Sequence, residues 1–246
     1  MNYYRQSQNS VKDRFVTVVA RFSREFGFYA FLGLFYLLFQ PLEAVIEREL
    51  LITGCARSGT TYMSHLLKAS GLDVPHEYDA SGTYGICSWL LTPDAQSAPW
   101  GPLRSDYHFQ HIFHQVRHPL KVISSVYTTE PELSWIFIIE NVPQIKWEDS
   151  HTVKTAKYWY YWNRMAEELA EWTYKIEEIE QLWTEFGDRL GVILDPQIIQ
   201  SIPTNTNTRG AHTREFTWDT LREELDPQLY ADIVSLAIRY GYEDCP

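Results

Sequence analysis

Short apolar runs alternate along the chain with longer segments in which apolar residues recur at helical spacing. Four short runs predict buried strands, at 50–53, 72–74, 112–116 and 172–176. Six segments with a helical period predict helices, at 60–69, 120–127, 152–170, 177–186, 218–225 and 227–240. A loop is predicted at 79–108. Gly187 is expected to end the helix predicted at 177–186. Strands that alternate with helices predict an α/β fold, with a parallel sheet flanked by helices in three layers.

Residues 1–49 have a different pattern and are predicted to form an extra N-terminal helical segment ahead of an α/β domain at 50–246. Apolar residues within 11–26 recur at helical spacing, and the stretch 26–39 carries no charge. This uncharged stretch is shorter than the roughly 20 residues that span a bilayer. The segment is therefore expected either to pack on the domain or to contact a membrane surface through residues 11–42, with a spanning helix as a third alternative.

Composition and charge restrict the classes of function. Hydrophobic residues make up 45% and charged residues 22% of the 246 residues, which is typical of a globular protein. The net charge is −11, whereas a sequence-independent nucleic-acid binder needs a basic excess, so no nucleic-acid partner is expected. Cys55, Cys87 and Cys245 are too widely spaced for a disulfide framework or a metal site. A cytoplasmic location without a bound metal is expected, with peripheral membrane attachment as the alternative.

A glycine-rich segment at 54–61, with the sequence GCARSGTT, lies between the first predicted strand and the helix that follows it. Such a turn exposes backbone N–H groups at a helix N-terminus and thereby forms an anion site. The spacing is close to the nucleotide-triphosphate loop G-x-x-x-x-G-K-[ST], but Thr60 stands where that loop has its lysine. The positive charge belongs to Arg57 instead. The segment is predicted to bind one phosphate group, and a P-loop kinase or NTPase is the alternative interpretation.

The run ARSGTT after a strand resembles the 5′-phosphosulfate loop of sulfotransferases that use 3′-phosphoadenosine 5′-phosphosulfate. The resemblance covers about residues 50–242, and it implies a P-loop NTPase-like fold and transfer of a sulfuryl group from this donor to a hydroxyl. It implies that Arg57 contacts the bridge between the phosphate and the sulfuryl group. Residues 58–61, which are Ser58, Gly59, Thr60 and Thr61, would bind the 5′-phosphate, and no metal is required.

A second motif, from Arg117 to Ser125, follows the third predicted strand. The 3′-phosphate motif of the same family has an arginine at a strand end and a serine eight residues later, and Arg117 and Ser125 have that separation. An arginine forms charge-assisted hydrogen bonds to phosphate, and a serine two helical turns later can face the same side. The resemblance therefore implies that Arg117 and Ser125 bind the 3′-phosphate of the donor.

Two further segments resemble parts of the same family. The polar loop at 205–210 is similar to the C-terminal loop that closes over the 3′-phosphate, which makes Arg209 and Gly210 candidate nucleotide-binding residues. A solvated surface turn has the same pattern, and Arg214 is a second candidate for this role. The segment 174–178 resembles the Y-R-x-E-D segment common in bacterial sulfotransferases, with an expected role in the structure or near the nucleotide.

Sulfuryl transfer to a hydroxyl needs a general base, because the acceptor proton must leave as the O–S bond forms. Cytosolic-type members of the family use a histidine, whereas other branches use a glutamate at the end of the second strand. Glu77 follows the second predicted strand, at a separation from Ser58 that resembles the glutamate-using branch. The resemblance therefore implies Glu77 as the base, and His76 is the alternative.

Three histidines, His108, His111 and His114, have an i, i+3 spacing that a metal site can use. No carboxylate or cysteine accompanies them in the sequence. They are therefore expected at a strand edge or in a loop rather than around a metal.

The acceptor stays open at the level of the sequence. The reaction requires a hydroxyl-bearing acceptor, which is a small molecule, a lipid or a glycan. A chain of net charge −11 is a poor electrostatic match for a polyanionic glycan, whereas its aromatic content of 15% is compatible with an apolar alcohol. The alternative outside the enzymes is a non-catalytic, membrane-associated protein that keeps a nucleotide site.

Overall fold

The computed structural model describes residues 45–77, 81–95, 103–129, 131–203 and 213–246. The predicted helices of the N-terminal segment and the loop residues Arg209 and Gly210 lie outside the described residues, so both remain predictions. Within the described part of the chain, no helix combines the length and the apolar character needed to cross a bilayer.

Four parallel strands form one sheet in the order β2-β1-β3-β4. Their bounds are Ile46–Thr53 for β1, Gly85–Cys87 for β2, Tyr107–Val116 for β3 and Trp172–Lys175 for β4. Ile52 of β1 is aligned with Cys87 on one side and with Phe113 on the other. Because the strands are parallel, their carboxyl ends lie along the same edge of the sheet, where such folds build their binding sites.

Eight α-helices occur in the described residues. They are α1 (Thr60–Ala69), α2 (Pro119–Thr129), α3 (Glu132–Asn141), α4 (His151–Leu169), α5 (Ile179–Leu190), α6 (Gln197–Ser201), α7 (Trp218–Glu224) and α8 (Pro227–Arg239). Helices α1 and α5 share a buried cluster with Phe113 of β3, whereas the next residue, His114, faces the other way and contacts Asn163 of α4. Helices therefore cover both faces of the sheet, which confirms the predicted α/β fold with a parallel sheet flanked by helices.

Strand β1 shows why both faces of the sheet need a cover. Leu50, Leu51 and Ile52 are all fully buried. Side chains alternate between the faces of a strand, so Leu50 and Ile52 enter one buried cluster and Leu51 enters another. Each such side chain contributes roughly 2 kcal/mol when it is removed from water. The short apolar run thereby fixes β1 in the middle of the sheet.

The second predicted strand, at 72–74, is wrong as a regular strand. The segment runs beside β2 with separate backbone hydrogen bonds: the Cys87 N–H donates to the Pro75 carbonyl, and the Glu77 N–H donates to the Cys87 carbonyl, both at 2.9 Å. Pro75 has no N–H to donate, so a regular ladder is interrupted there. On this side of the sheet the strand that pairs with β1 is β2, which lies inside the region predicted as a loop at 79–108.

Other elements differ from the prediction at their ends. Strand β1 begins at Ile46 and β3 begins at Tyr107, both earlier than predicted. Helix α5 continues through Gly187, where a Cβ would lie 2.7 Å from the Val192 carbonyl oxygen, so this glycine allows close packing inside the helix instead of ending it. Helix α3 has no counterpart among the predicted helices, because its apolar residues are mainly one continuous run at 135–139 and show no clear helical period.

Candidate functional site

The glycine-rich segment 54–59 forms the turn from β1 into α1. At Gly54, φ is 155° and a Cβ would lie 2.2 Å from the Gln115 carbonyl oxygen, so the backbone of β3 leaves room only for glycine. On the other side, the Ala56 N–H donates to the Tyr158 hydroxyl of α4 at 2.8 Å. The turn is therefore held between a strand and a helix that come from distant parts of the chain.

Arg57 joins the two motifs that the sequence analysis identified separately. Its Nε donates to the Ser125 hydroxyl at 2.9 Å, and its carbonyl oxygen accepts a hydrogen bond from Nη1 of Arg117 at 3.1 Å. Arg117 follows β3 and Ser125 lies on α2, whereas Arg57 follows β1. Because β1 and β3 are parallel neighbours, the structure brings all three residues to one edge of the sheet. Two cationic side chains meet there in a chain whose net charge is −11.

The N-terminus of α1 adds neutral donors to this edge. Gly59 is the N-cap residue and has no side chain with which to cap the helix, so the first-turn N–H groups receive no cap from it. The helix macrodipole makes this end partly positive. The Ser58 hydroxyl is buried and has no hydrogen-bond partner among the described residues. Arg57, the helix N-terminus and this hydroxyl together suit a compact anion.

His76 connects the same helix end to Glu77. Its Nε2 lies 2.8 Å from the Thr60 hydroxyl, 3.2 Å from the Thr61 hydroxyl and 3.7 Å from Oε1 of Glu77. Burial, reinforced by the positive charges of nearby groups including Arg57, lowers the pKa of His76 to about 4. The ring is therefore neutral at pH 7, and its contact with Glu77 is not an ion pair there.

Backbone conformation sets two of these residues apart. Arg57 has φ of 70° and Glu77 has φ of 55°, and no other non-glycine residue in the described part of the chain has a positive φ. L-residues rarely adopt this region, and such conformations cluster at functional sites. The resemblance to sulfotransferase motifs selects both residues without reference to backbone conformation, so the positive φ is an independent observation about the same two positions.

The carboxyl-terminal segment supports the Arg117 motif through a contact that the sequence does not predict. His118 accepts the Leu120 N–H at Nδ1, so its Nε2 carries the hydrogen and donates to the Asp244 carboxylate at 2.9 Å. The His118 N–H donates to Oε1 of Glu177, a residue of the 174–178 segment, at 3.0 Å. That segment was expected to be structural or near the nucleotide, whereas no local pattern indicates Asp244.

The three histidines of β3 are dispersed. His108 contacts Glu47 at 2.6 Å, and His111 contacts Glu171 at 2.7 Å. His114 is buried between Thr173 and Asn163, and burial lowers its pKa to about 4. In the described ranges, no group of three or more histidine, cysteine, aspartate or glutamate residues is arranged to hold a metal ion.

Arg214 does not reach the Arg57 cluster through any described contact. It forms an ion pair with Glu224 and stacks on the Phe216 ring, with 4.5 Å between the guanidinium carbon and the ring centroid. The adjacent Thr213 N–H donates to the Thr128 hydroxyl of α2 at 3.1 Å, so the chain that follows the loop of Arg209 and Gly210 is attached to the helix that carries Ser125.

The described site thus combines a glycine turn, a helix N-terminus, two arginines and a glutamate at one edge of a parallel sheet. The arginines and the helix N-terminus provide positive charge that suits an anion, and the Glu77 carboxylate lies beside His76. Comparison of the chain with protein-family models, with curated proteins and with solved structures found no match.

Proposed function

We propose that this chain is a sulfotransferase that transfers a sulfuryl group from 3′-phosphoadenosine 5′-phosphosulfate to an acceptor hydroxyl. One observation carries the proposal: Arg57 is hydrogen-bonded both to Ser125 and to Arg117. The motif that resembles a 5′-phosphosulfate loop is therefore in direct contact with the motif that resembles a 3′-phosphate site. A mononucleotide with an anionic group at each end matches this pairing better than a triphosphate chain does.

In the proposed complex, the 5′ end of the donor lies on residues 57–61 and the 3′-phosphate lies between Arg117 and Ser125. The overall field of the protein repels anions, so the affinity must come from these local groups. Arginine is suited to the task because its planar fork forms paired hydrogen bonds with phosphate oxygens. Helix α1 adds backbone N–H donors that need no counter-charge.

In the proposed reaction, the acceptor oxygen forms a bond to sulfur while the bond from sulfur to the bridging phosphate oxygen breaks. The acceptor proton passes to the Glu77 carboxylate, and the leaving group is the 3′,5′-bisphosphate of adenosine. Negative charge grows on the bridging oxygen during this step. Arg57 and the N-terminus of α1 stabilise that charge, which is usually the largest single contribution to catalysis. No metal ion takes part in this scheme.

Glu77 suits the role of base better than His76 does. The Nε2 of His76 contacts two threonine hydroxyls, so this nitrogen is already engaged at the N-terminus of α1. Its position between α1 and Glu77 suits a positioning residue, which holds the carboxylate next to the anion site. We therefore assign proton transfer to Glu77.

For the acceptor, we propose a small apolar alcohol or a lipid rather than a polyanionic glycan, on grounds of charge. Contact with a membrane surface through residues 11–42 would bring the chain to a lipid acceptor, in a cytoplasmic, peripheral location. Sedimentation of the full chain with anionic vesicles tests this contact. Binding that weakens with salt supports it, and a chain that stays in the supernatant at low ionic strength contradicts it.

Calorimetric titration with adenosine 3′,5′-bisphosphate, alongside ATP with Mg²⁺, tests the donor assignment. We expect binding of the bisphosphate, and we expect Arg117→Ala to weaken it by about tenfold or more, since a charged hydrogen bond is lost. The control Arg189→Ala removes an exposed arginine that is paired with Glu185 on α5, and it should bind as the wild type does. Tighter binding of ATP than of the bisphosphate would instead favour a P-loop kinase or NTPase.

Transfer of labelled sulfuryl groups to a library of alcohols tests catalysis itself. Arg57→Ala is expected to abolish transfer, because the variant loses the cation nearest to the bridging oxygen. If the wild-type chain binds the bisphosphate but transfers to no class of acceptor, it is a nucleotide-binding protein without this activity.

A further inference from the structure

Gln115 lies directly behind the anion loop. It is the penultimate residue of β3 and is fully buried. Its Nε2 donates to the Ser58 carbonyl at 2.7 Å, and its Oε1 accepts the Tyr174 hydroxyl of β4 at 2.7 Å. Each side of the amide therefore has one partner, and a single side chain links the central part of the sheet to the middle of the loop.

The loop passes close to Gln115 at both of its glycines. A Cβ at Gly54 would lie 2.2 Å from the Gln115 carbonyl oxygen, and a Cβ at Gly59 would lie 3.4 Å from the Gln115 Nε2. The first approach requires glycine, and the second is at ordinary van der Waals contact. The backbone and the side chain of this one residue therefore both lie against the loop, one near each of its glycines.

Peptide geometry converts this contact into a direction for a donor. In a trans peptide the C=O and the N–H point in opposite directions. The Ser58 carbonyl points towards Gln115, so the N–H of the same peptide unit, which belongs to Gly59, points away from the sheet. Gly59 is the N-cap of α1, where N–H groups face a bound anion. Releasing the carbonyl would let this peptide rotate and would misdirect the donor.

The Ser58 carbonyl determines which way the Gln115 amide faces, because a carbonyl only accepts and therefore requires the NH₂ group. The amide oxygen then faces Tyr174, whose hydroxyl donates to it. Burial raises the pKa of Tyr174 well above its usual value, so the hydroxyl stays protonated and remains a donor. With the hydroxyl removed, the buried amide oxygen loses this donor, and Gln115 is held through Ser58 alone.

We infer that Gln115, supported by the Tyr174 hydroxyl, is a positioning residue that sets the anion affinity of the loop by holding the Ser58 carbonyl towards the sheet. The inference rests on the proposed function only in naming the anion, the 5′-phosphate of the nucleotide. Neither residue touches that group, so both act through the Ser58–Gly59 peptide. The conformation of the loop does not depend on a bound nucleotide and can be measured in the protein alone.

Gln115→Met, Gln115→Glu and Tyr174→Phe test the inference by titration with adenosine 3′,5′-bisphosphate. Gln115→Met keeps the size but loses the donor, and it should weaken binding about tenfold. Tyr174→Phe should weaken it less, because the contact with Ser58 persists in part of the molecules. The control Gln228→Met, at an exposed position on α8, should bind as the wild type does.

Gln115→Glu provides a readout that a general loss of packing would not reproduce. Its carboxylate would place an acceptor against the Ser58 carbonyl, so binding should be weak at high pH, where this buried group is ionised. Protonation restores a donor to this position, so affinity relative to the wild type should recover as the pH falls. An affinity ratio that stays constant with pH would overturn the inference.

Amide hydrogen exchange separates this inference from the proposed function. In Gln115→Met, exchange of residues 54–59 should accelerate several-fold while α8 is unchanged, whether or not a nucleotide binds. If the wild-type chain does not bind the bisphosphate, the proposed function fails, and the exchange result alone decides the inference. Unchanged exchange in the loop, or wild-type bisphosphate affinity in Gln115→Met, overturns it. If Gln115→Met does not fold, Tyr174→Phe carries the same two measurements.

Discussion

Arg57 and Glu77 have left-handed backbone conformations, which residues other than glycine usually avoid. An L-residue in this region costs roughly 1–2 kcal/mol compared with ordinary conformations. At Glu77 the N–H is bound by the Cys87 carbonyl, and the carboxylate lies 3.7 Å from the His76 ring. The surroundings therefore impose a conformation that the residue by itself disfavours. Relief of this strain at Glu77 should therefore affect the stability of the fold differently from the activity of the site.

Glycine at position 77 is expected to separate the effect on stability from the effect on activity. Glycine adopts a positive φ without a Cβ penalty, so Glu77→Gly should leave the free energy of unfolding within about 0.5 kcal/mol of the wild type while transfer is lost. The control Ala231→Gly changes an exposed residue inside α8 and should cost about 1 kcal/mol. Urea denaturation measures both variants. Equal losses would mean that the backbone at Glu77 is not strained.

The charge on Glu77 has its own test. Glu77→Gln keeps the shape of the side chain but cannot accept a proton, so turnover should fall by roughly 10²–10⁴-fold. Affinity for adenosine 3′,5′-bisphosphate should be retained, because the carboxylate does not bind the donor in the proposed complex. The companion variant His76→Gln should lower turnover less, as expected for a positioning residue. Wild-type turnover in Glu77→Gln would transfer the role of base to another group.

Helix α2 carries two adjacent serines with different tasks. The Ser124 hydroxyl donates to the Leu120 carbonyl at 2.6 Å and accepts the Phe216 N–H at 3.0 Å, which attaches the segment before α7 to this helix. The Ser125 hydroxyl accepts a hydrogen bond from Arg57. Adjacent positions on a helix point about 100° apart, so one serine faces the fold and the other faces the site.

Alanine at these two positions should therefore give different phenotypes. Ser124→Ala leaves the buried Phe216 N–H without its acceptor and should lower the free energy of unfolding by about 1–3 kcal/mol. Ser125→Ala should weaken bisphosphate binding about tenfold with a smaller loss of stability. Denaturation and calorimetry on both variants provide the comparison. The assignment fails if Ser124→Ala impairs binding more than Ser125→Ala does.

At the scale of elements, the sequence is a good guide wherever its period and its breakers agree. Helix α1 has the predicted bounds 60–69, because its apolar period lies between Gly59 and Gly71. The segment at 72–74 fails as a regular strand because one residue, Pro75, cannot donate to a ladder. Helix α3 is not predicted from the sequence, because its apolar residues form a continuous run and show no helical period. The local sequence pattern therefore predicts whether a segment is a helix or a strand better than it predicts which strands pair in the sheet.

For the whole molecule, the buried histidines couple stability to pH. Burial lowers the pKa of both His114 and His76 to about 4, whereas an unfolded histidine has a pKa of about 6.5. Between these values the unfolded state binds protons that the native state does not. Stability is therefore fully present above about pH 6.5 and falls as the pH decreases towards 4.

Urea denaturation near pH 7 and near pH 5 measures this coupling. His114 is fully buried, so its share over the whole window is at most about 3 kcal/mol, whereas His76 is partly exposed and contributes less. His114→Gln should flatten the pH dependence, because no proton is then bound on unfolding at this position. An unaltered slope in His114→Gln contradicts the assignment.

At the scale of the whole molecule, local sequence patterns select only some of the residues that form the site. Arg57, Arg117 and Ser125 stand in recognisable spacings, so a local pattern selects them. Gln115 and Tyr158, by contrast, support the loop from positions that no motif marks. Their role follows from the sheet order and from helix packing, which bring distant segments together only after folding. Sequence therefore indicates the groups that would face a ligand, and the fold reveals the groups that hold them.

The separation of these supports along the chain also has a consequence for the order of folding. Gln115 is 57 residues from Ser58, Ser125 is 68 from Arg57 and Tyr158 is 102 from Ala56. Contacts of such range form late, because loop-closure entropy must be overcome first. A nascent chain that has emerged only as far as α1 should therefore have the complete glycine motif and no affinity for nucleotide. During synthesis, the ability to bind should arise abruptly, after the strands and helices that surround the turn have left the ribosome.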